Sequence, residues 1–265
     1  MEIFQYDFFI KAIIGVVLLS GASAIIGTYI VTRRLVSISG GITHACFGGL
    51  GLGYYLSFNP VVMAAGFAIA SSLGVQWMSR RHRVREDSAI AVIWALGMAL
   101  GTLFIFLTPG YVPELNAFLF GNILTITNGD LLAFAIFTAV LILFTVLAFR
   151  MIVICAFDSD FASVKGLPVT FINTCMTVLI AVCIVLTIRL VGVMLLMSML
   201  ALPQMIAETF CHRFRRMMLL SIVVSLGCSL GGLMLATVIN VPCSALIVLT
   251  MLAVYLLTRL LPRKK

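Results

Sequence analysis

His44 is the residue of this 265-residue chain whose type and setting most invite chemistry. It lies in Gly40-Gly41-Ile42-Thr43-His44-Ala45-Cys46-Phe47-Gly48-Gly49, within a stretch that otherwise reads as membrane-embedded. An ionisable side chain at bilayer depth costs roughly 2.5–3.5 kcal/mol on insertion scales, so one that persists commonly faces a polar path and handles an ion or a proton. The alternative is a neutral imidazole hydrogen-bonded to a neighbouring helix, and the residues alone leave both readings open.

Other chemistries find little support. Seven cysteines (Cys46, Cys155, Cys175, Cys183, Cys211, Cys228, Cys243) show no C-x-x-C or other zinc-ligand spacing, and most sit in apolar runs as small hydrophobes. There is no G-x-x-x-x-G-K-[ST] loop to cradle nucleotide phosphates, no G-x-S-x-G elbow and no H-E-x-x-H helix, so the chain does not read as an enzyme. His82 and His212 stand in arginine-rich loops, where solvation or lipid-phosphate contact suits them better than metal ligation.

The elements that would position His44 follow from composition. With 63% hydrophobic and 10% charged residues, the chain is far more apolar than a soluble domain, whose charged fraction is about 25%. It reads as an all-α polytopic membrane protein forming one domain over residues 1–265, since no loop is large enough to fold separately. The acidic start, Met1-Glu2-Ile3-Phe4-Gln5-Tyr6-Asp7, lacks the basic flank of a secretory signal, so the first apolar run is expected to remain in the mature protein.

Apolar stretches at about 8–31, 38–56, 60–78, 88–107, 131–149, 169–188, 190–207, 217–236 and 245–261 approach the ~20 residues that span a bilayer. The count is about nine, or eight if Pro203 makes 190–207 a broken or re-entrant segment. With the C-terminus cytoplasmic, 15 of the 17 Lys and Arg residues fall inside, leaving Lys11 and Arg189 elsewhere. The net charge of +8 thus reads as topology rather than nucleic-acid binding.

Small residues punctuate the spans. Gly49-x-x-x-Gly53, Gly97-x-x-x-Gly101 and Gly227-x-x-x-Gly231 have the spacing of close-packed membrane helices, and packing is the expected role above all for the last two. Gly40 and Gly41, one turn before His44, are candidates for leaving room beside a path. A short echo, Gly48-Gly49-Leu50 before Asn59-Pro60 and Gly231-Gly232-Leu233 before Asn240-Val241-Pro242, is too brief to carry an argument. In the segment 157–168, Asp158 is a candidate N-cap, Asp160 suits the first turn, and Gly166 and Pro168 are stop signals. A capped cytoplasmic helix of this kind suits either a docking partner or an amphipathic loop on the membrane.

Six segments in order resemble the membrane permease family of bacterial ATP-binding-cassette importers for zinc and manganese, with the zinc uptake permeases nearest. They are Gly27-Thr28-Tyr29-Ile30-Val31-Thr32-Arg33-Arg34-Leu35, Ile42-Thr43-His44-Ala45, Arg85-Glu86-Asp87-Ser88-Ala89-Ile90, Leu119-Phe120-Gly121-Asn122-Ile123-Leu124, Phe157-Asp158-Ser159-Asp160-Phe161-Ala162 with Gly166-Leu167, and Val191-Gly192-Val193-Met194-Leu195-Leu196 before Ala201-Leu202-Pro203. The resemblance implies a Type II importer permease in the bacterial cytoplasmic (inner) membrane. Its implied partners are a second permease copy (a homodimer), cytoplasmic ATPase subunits that supply the hydrolysis, an extracytoplasmic metal-binding protein and membrane lipid. It implies no permanently bound cofactor, the divalent metal being cargo, and it assigns coupling to Asp158, Asp160, Ala162 and Gly166.

One departure matters. The family usually carries an aspartate four residues before the histidine, whereas this chain has Gly40. Gln204 and Glu208 are spaced i, i+4 after Pro203, and if their shared face meets the second helix, Glu208 can supply the missing carboxylate to a metal held by His44. Alternatively Glu208 marks a helix end and pairs with Arg213, Arg215 or Arg216. Imidazole ligation without the hard oxygen at position 40 favours zinc as cargo, with manganese or iron as alternatives. A proton- or sodium-coupled secondary transporter is the rival reading, and it would normally hold further acids at the midplane.

Overall fold

A computed structural model describes residues 7–82, 84–109 and 126–260. The Leu119–Leu124 segment quoted above lies outside the described residues, as do Met1–Tyr6, Arg83, Arg263, Lys264 and Lys265. Every described element is helical: α1 (Asp7–Thr32), α2 (Val36–Tyr55), α3 (Pro60–His82), α4 (Glu86–Leu107), α5 (Asn128–Phe157), α6 (Ser159–Val164), α7 (Val169–Phe210), α8 (Phe214–Ile239) and α9 (Cys243–Leu260). Seven of them (α1, α3, α4, α5, α7, α8 and α9) are long and apolar enough to cross a membrane.

The 42 residues of α7 merge two of the apolar stretches read from the sequence. At about 1.5 Å per residue a continuous helix of that length would far exceed a ~30 Å hydrocarbon core. The break falls at Gly192 (φ 80°, ψ 174°), a backbone conformation that suits glycine, and not at Pro203, through which the helix continues. Pro203 cannot donate to the Met199 carbonyl four residues back. The Gln204 side-chain amide takes over that acceptor at 3.3 Å, so the carbonyl that the proline leaves unmet has a donor.

The described helices fall into two compact units. One combines residues 1–33, 116–147 and 186–265. Here Gln204 Nε2 also donates to the Ser23 carbonyl of α1 at 2.8 Å, and a Cβ on Gly27 would lie 2.5 Å from the same amide. The glycine is therefore what admits Gln204 against α1. Ser225 of α8 bonds Ser20 of α1 at 3.0 Å, joining those two helices through buried hydroxyls. Asn240 (φ 58°) ends α8 in the left-handed region, with the Val241 amide on the Ala236 carbonyl.

The other unit combines residues 34–115 and 148–185. In it α2 packs against both α3 and α4, because glycine lets the backbones touch. A Cβ on Gly49 would stand 2.6 Å from the Met63 carbonyl of α3, and one on Gly51 would stand 2.6 Å from the Gly101 carbonyl of α4. Asn59 caps α3 by accepting from the Val61 amide at 3.0 Å, with Pro60 in the first helical position. Ser37 and Asp87 tie the starts of α2 and α4 at 2.7 Å.

Gly97 and Gly101 thus pack as the spacing predicts, and Gly49 and Gly53 do the same. Gly227 and Gly231 do not: a Cβ on either would meet nothing within 4 Å, and the neighbouring Gly232 is the one that backs onto Ile247 of α9. The echo between the two glycine pairs has a local counterpart, since Gly49 and Gly232 each press on the helix that follows their own.

Candidate functional site

His44 occupies the middle of α2, half-buried, and the close approach of α2 and α4 brings its ring flat onto Trp94. The ring centroids are 4.5 Å apart and the planes differ by 2°. Stacking fixes the plane of the imidazole and leaves its two nitrogens at the edge, the geometry in which a lone pair can reach a cation or a proton. His44 has no hydrogen-bond partner among the described residues, so its contact with the neighbouring helix is the stack and not the hydrogen bond of the alternative reading.

The residues around it are fixed by packing. Gly40 is buried, and Gly41 faces Ile90 of α4 so closely that a side chain there would collide with it. Gly41 therefore serves helix contact and leaves no room beside the histidine. Thr43 returns its hydroxyl to the Ser39 carbonyl and does not point at an ion. Among the described residues, no group of three or more His, Cys, Asp or Glu side chains is gathered where it could hold a metal.

Glu208 stands exposed in the last turn of α7, in the other compact unit from His44. It forms no ion pair with Arg213, Arg215 or Arg216 among the described residues. Gln204, one turn earlier, is fully buried, with its amide on the Ser23 carbonyl of α1.

The coupling candidates form a compact local motif. Asp158 (φ −149°, ψ 97°) caps α6, its Oδ1 accepting from the Asp160 and Phe161 amides at 3.1 and 2.8 Å. Asp160 sits in the first turn, Ala162 is fully buried, and Gly166 (φ 73°) ends the motif with the Leu167 amide returning to the Ala162 carbonyl. Lys165 lies over the Phe161 ring at 4.8 Å. The six-residue helix is thus built entirely from short-range signals in its own sequence.

Three features escaped the sequence reading. Trp94 gave no signal beyond being an aromatic in an apolar run, and Gln204 drew notice only for its spacing to Glu208. The third concerns Lys11 and Arg189, the two cations expected from the charge pattern to lie off the cytoplasmic side, for both carry acidic partners. Lys11 pairs with Asp7 at 2.5 Å, and Arg189 pairs with Asp130 at 3.2 Å. Asp130 is held in turn by the Thr127 hydroxyl at 2.6 Å.

The chain matches the ABC 3 transport family over residues 5–261. A relative from Chlamydia pneumoniae named "Probable metal transport system membrane protein" is 37% identical over 238 residues, covering 88% of this chain and 81% of that one. The manganese transport system membrane protein MntC of Listeria monocytogenes is 26% identical over 261 residues, covering 98% and 93%. In three dimensions the chain is similar to the structure of PsaBC from Streptococcus pneumoniae in complex with Fab, with a TM-score of 0.85 at 24% identity and coverage of 99% and 95%. That likeness speaks for the fold. The chain belongs to the ABC 3 transport family.

Proposed function

We propose that, as a member of this transport family, the chain is the membrane permease of an ATP-driven importer that moves a divalent transition metal ion into the cytoplasm of a bacterium. The observation that carries the reading is His44, an imidazole in mid-helix whose plane is set by Trp94 and whose nitrogens have no partner among the described residues. The chain spans the inner membrane about nine times, α2 and the two segments of α7 each counting as one crossing, with the C-terminus cytoplasmic. Zinc is the cargo favoured by an imidazole ligand without a neighbouring carboxylate; manganese and iron are the alternatives. The manganese transport relative supports manganese no less directly.

One imidazole is too few ligands for a bare ion. A second copy of the chain would bring a second His44 to the path, and Glu208 is the proposed source of a carboxylate. Hydrolysis belongs to separate ATPase subunits docked on Asp158, Asp160, Ala162 and Gly166, and an extracytoplasmic metal-binding protein delivers the ion. The test is a reconstituted complex in proteoliposomes, with the binding protein loaded in turn with zinc, manganese or iron. ATPase stimulation and ATP-dependent uptake, greatest with zinc, are expected. Uptake driven by an ion gradient without ATP would overturn the reading in favour of a secondary transporter.

A further inference from the structure

The unit that carries His44 holds a groove of about 370 Å³ between the end of α3 and the start of α7, lined by Gln76, Trp77, Arg80, Arg81, Thr170 and Thr174. Its walls are joined by the Thr174 hydroxyl, 3.2 Å from Gln76 Oε1. Arg80 and Arg81 are exposed and have no acidic partner among the described residues, unlike Lys11 and Arg189. Across from them α7 begins: the Val169 amide is taken by the Leu167 carbonyl and Ile172 is the first residue to bond a carbonyl four back, on Pro168, so the Thr170 and Phe171 amides present the positive end of the helix. Trp77 is 58% exposed at the rim and is braced edge-on by His82, with ring centroids 4.7 Å apart.

Two unpaired guanidinium groups, a threonine hydroxyl on a helix start and a glutamine amide make up a set of donors for a phosphate. A half-exposed indole beside them has the amphipathic character of residues that settle at the headgroup level of a bilayer. We infer that this groove binds the phosphate headgroup of an anionic phospholipid from the cytoplasmic leaflet. The choice of lipid over free phosphate rests on Trp77 and on the apolar helices that continue from both walls. The inference uses the topology proposed above and not the identity of the cargo. Because α7 follows α6 after only Lys165–Pro168, a lipid seated here would brace the segment proposed to meet the ATPase.

The test is lipid retention, read by native mass spectrometry on the full permease–ATPase complex taken from nanodiscs of phosphatidylcholine with graded phosphatidylglycerol, with no ATP present. The wild type is expected to retain phosphatidylglycerol. Arg80→Gln with Arg81→Gln should lower its retention roughly tenfold or more, each arginine near an anionic surface counting for several-fold. Arg80→Lys with Arg81→Lys should restore most of it, which separates lost charge from lost folding. Arg213→Gln with Arg215→Gln, outside the groove, should leave it unchanged. Equal retention by the Gln double variant would overturn the inference. So would displacement of the lipid by inorganic phosphate at millimolar concentration, or loss of the ATPase subunits in place of lipid from the variant complex. Failure of metal transport would not touch the result, since retention needs neither metal nor ATP.

Discussion

Gln204 supplies to the Met199 carbonyl the hydrogen bond that Pro203 withholds, at 3.3 Å, and with the same amide reaches the Ser23 carbonyl of α1 at 2.8 Å. One side chain therefore repairs a helix and ties it to its neighbour in a dry setting, where a stranded polar group is costly. Gln204→Leu should destabilise the purified permease by about 1–3 kcal/mol, the usual cost of leaving a buried acceptor unmet. Gln204→Glu should do more damage, because an ionised carboxylate has no hydrogen to give to two carbonyl oxygens. Thermal unfolding in detergent reads both. A Gln204→Leu variant as stable as the wild type would show that neither carbonyl depends on the amide.

The stack of His44 on Trp94 makes a prediction of a different kind. His44→Ala should abolish metal uptake in the reconstituted complex while leaving membrane insertion and assembly intact, because it removes a ligand without opening a large cavity. Trp94→Leu should weaken uptake less, since the ligand remains and only its orientation loosens, and Trp94→Phe should retain most activity. Uptake by His44→Ala equal to the wild type would remove His44 from the path.

For α6, the cap and the proposed coupling role can be tested apart. Asp158→Asn keeps an acceptor for the Asp160 and Phe161 amides and should leave the helix intact, whereas Asp158→Ala should cost about 0.5–2 kcal/mol locally. Reversing both Asp158 and Asp160 to Lys removes the cap and opposes the helix dipole. That double variant should show ATP hydrolysis no longer stimulated by the loaded binding protein. Retained stimulation would place the docking surface elsewhere.

Glycine contacts give a matched pair. Gly97→Leu has no space beside the Ala45 backbone and should prevent the α2–α4 contact, lowering the yield of folded protein sharply. Gly227→Leu, at a position with nothing within 4 Å, should leave the fold of an isolated chain unharmed. If it disrupts only the assembled permease, that surface of α8 is covered by another copy.

What could be read from the sequence was what short-range physics governs. Asp158 was visible as a cap because its partners lie two and three residues on, and the apolar stretches were visible because bilayer thickness fixes their length. His44 stood out because a charge in lipid is expensive wherever the helix points. Pro203 misled, since a proline normally opens a helix, and the glutamine that compensates for it acts partly through Ser23, 181 residues away. Gly192 looked like any other glycine of an apolar run. Trp94 was silent because stacking on His44 depends on how closely α2 and α4 approach, which only their glycines, taken together, decide.

The last prediction concerns Glu208 and Gly40. The carboxylate that usually precedes the histidine is absent here, while Glu208 stands exposed with no arginine partner among the described residues, so it is free to serve another group. If it serves the metal, Glu208→Gln should impair uptake about as severely as His44→Ala. Adding Gly40→Asp should then restore part of the activity by returning one carboxylate to the turn before His44. Gly40 is buried, so an aspartate there is tolerated only where a cation or water meets it, and the double variant reports on that as well. An exposed helix-end carboxylate with merely local electrostatics is worth about 0–1 kcal/mol. In that case Glu208→Gln would transport nearly as well as the wild type, Gly40→Asp would rescue nothing, and the carboxylate would have to come from another group.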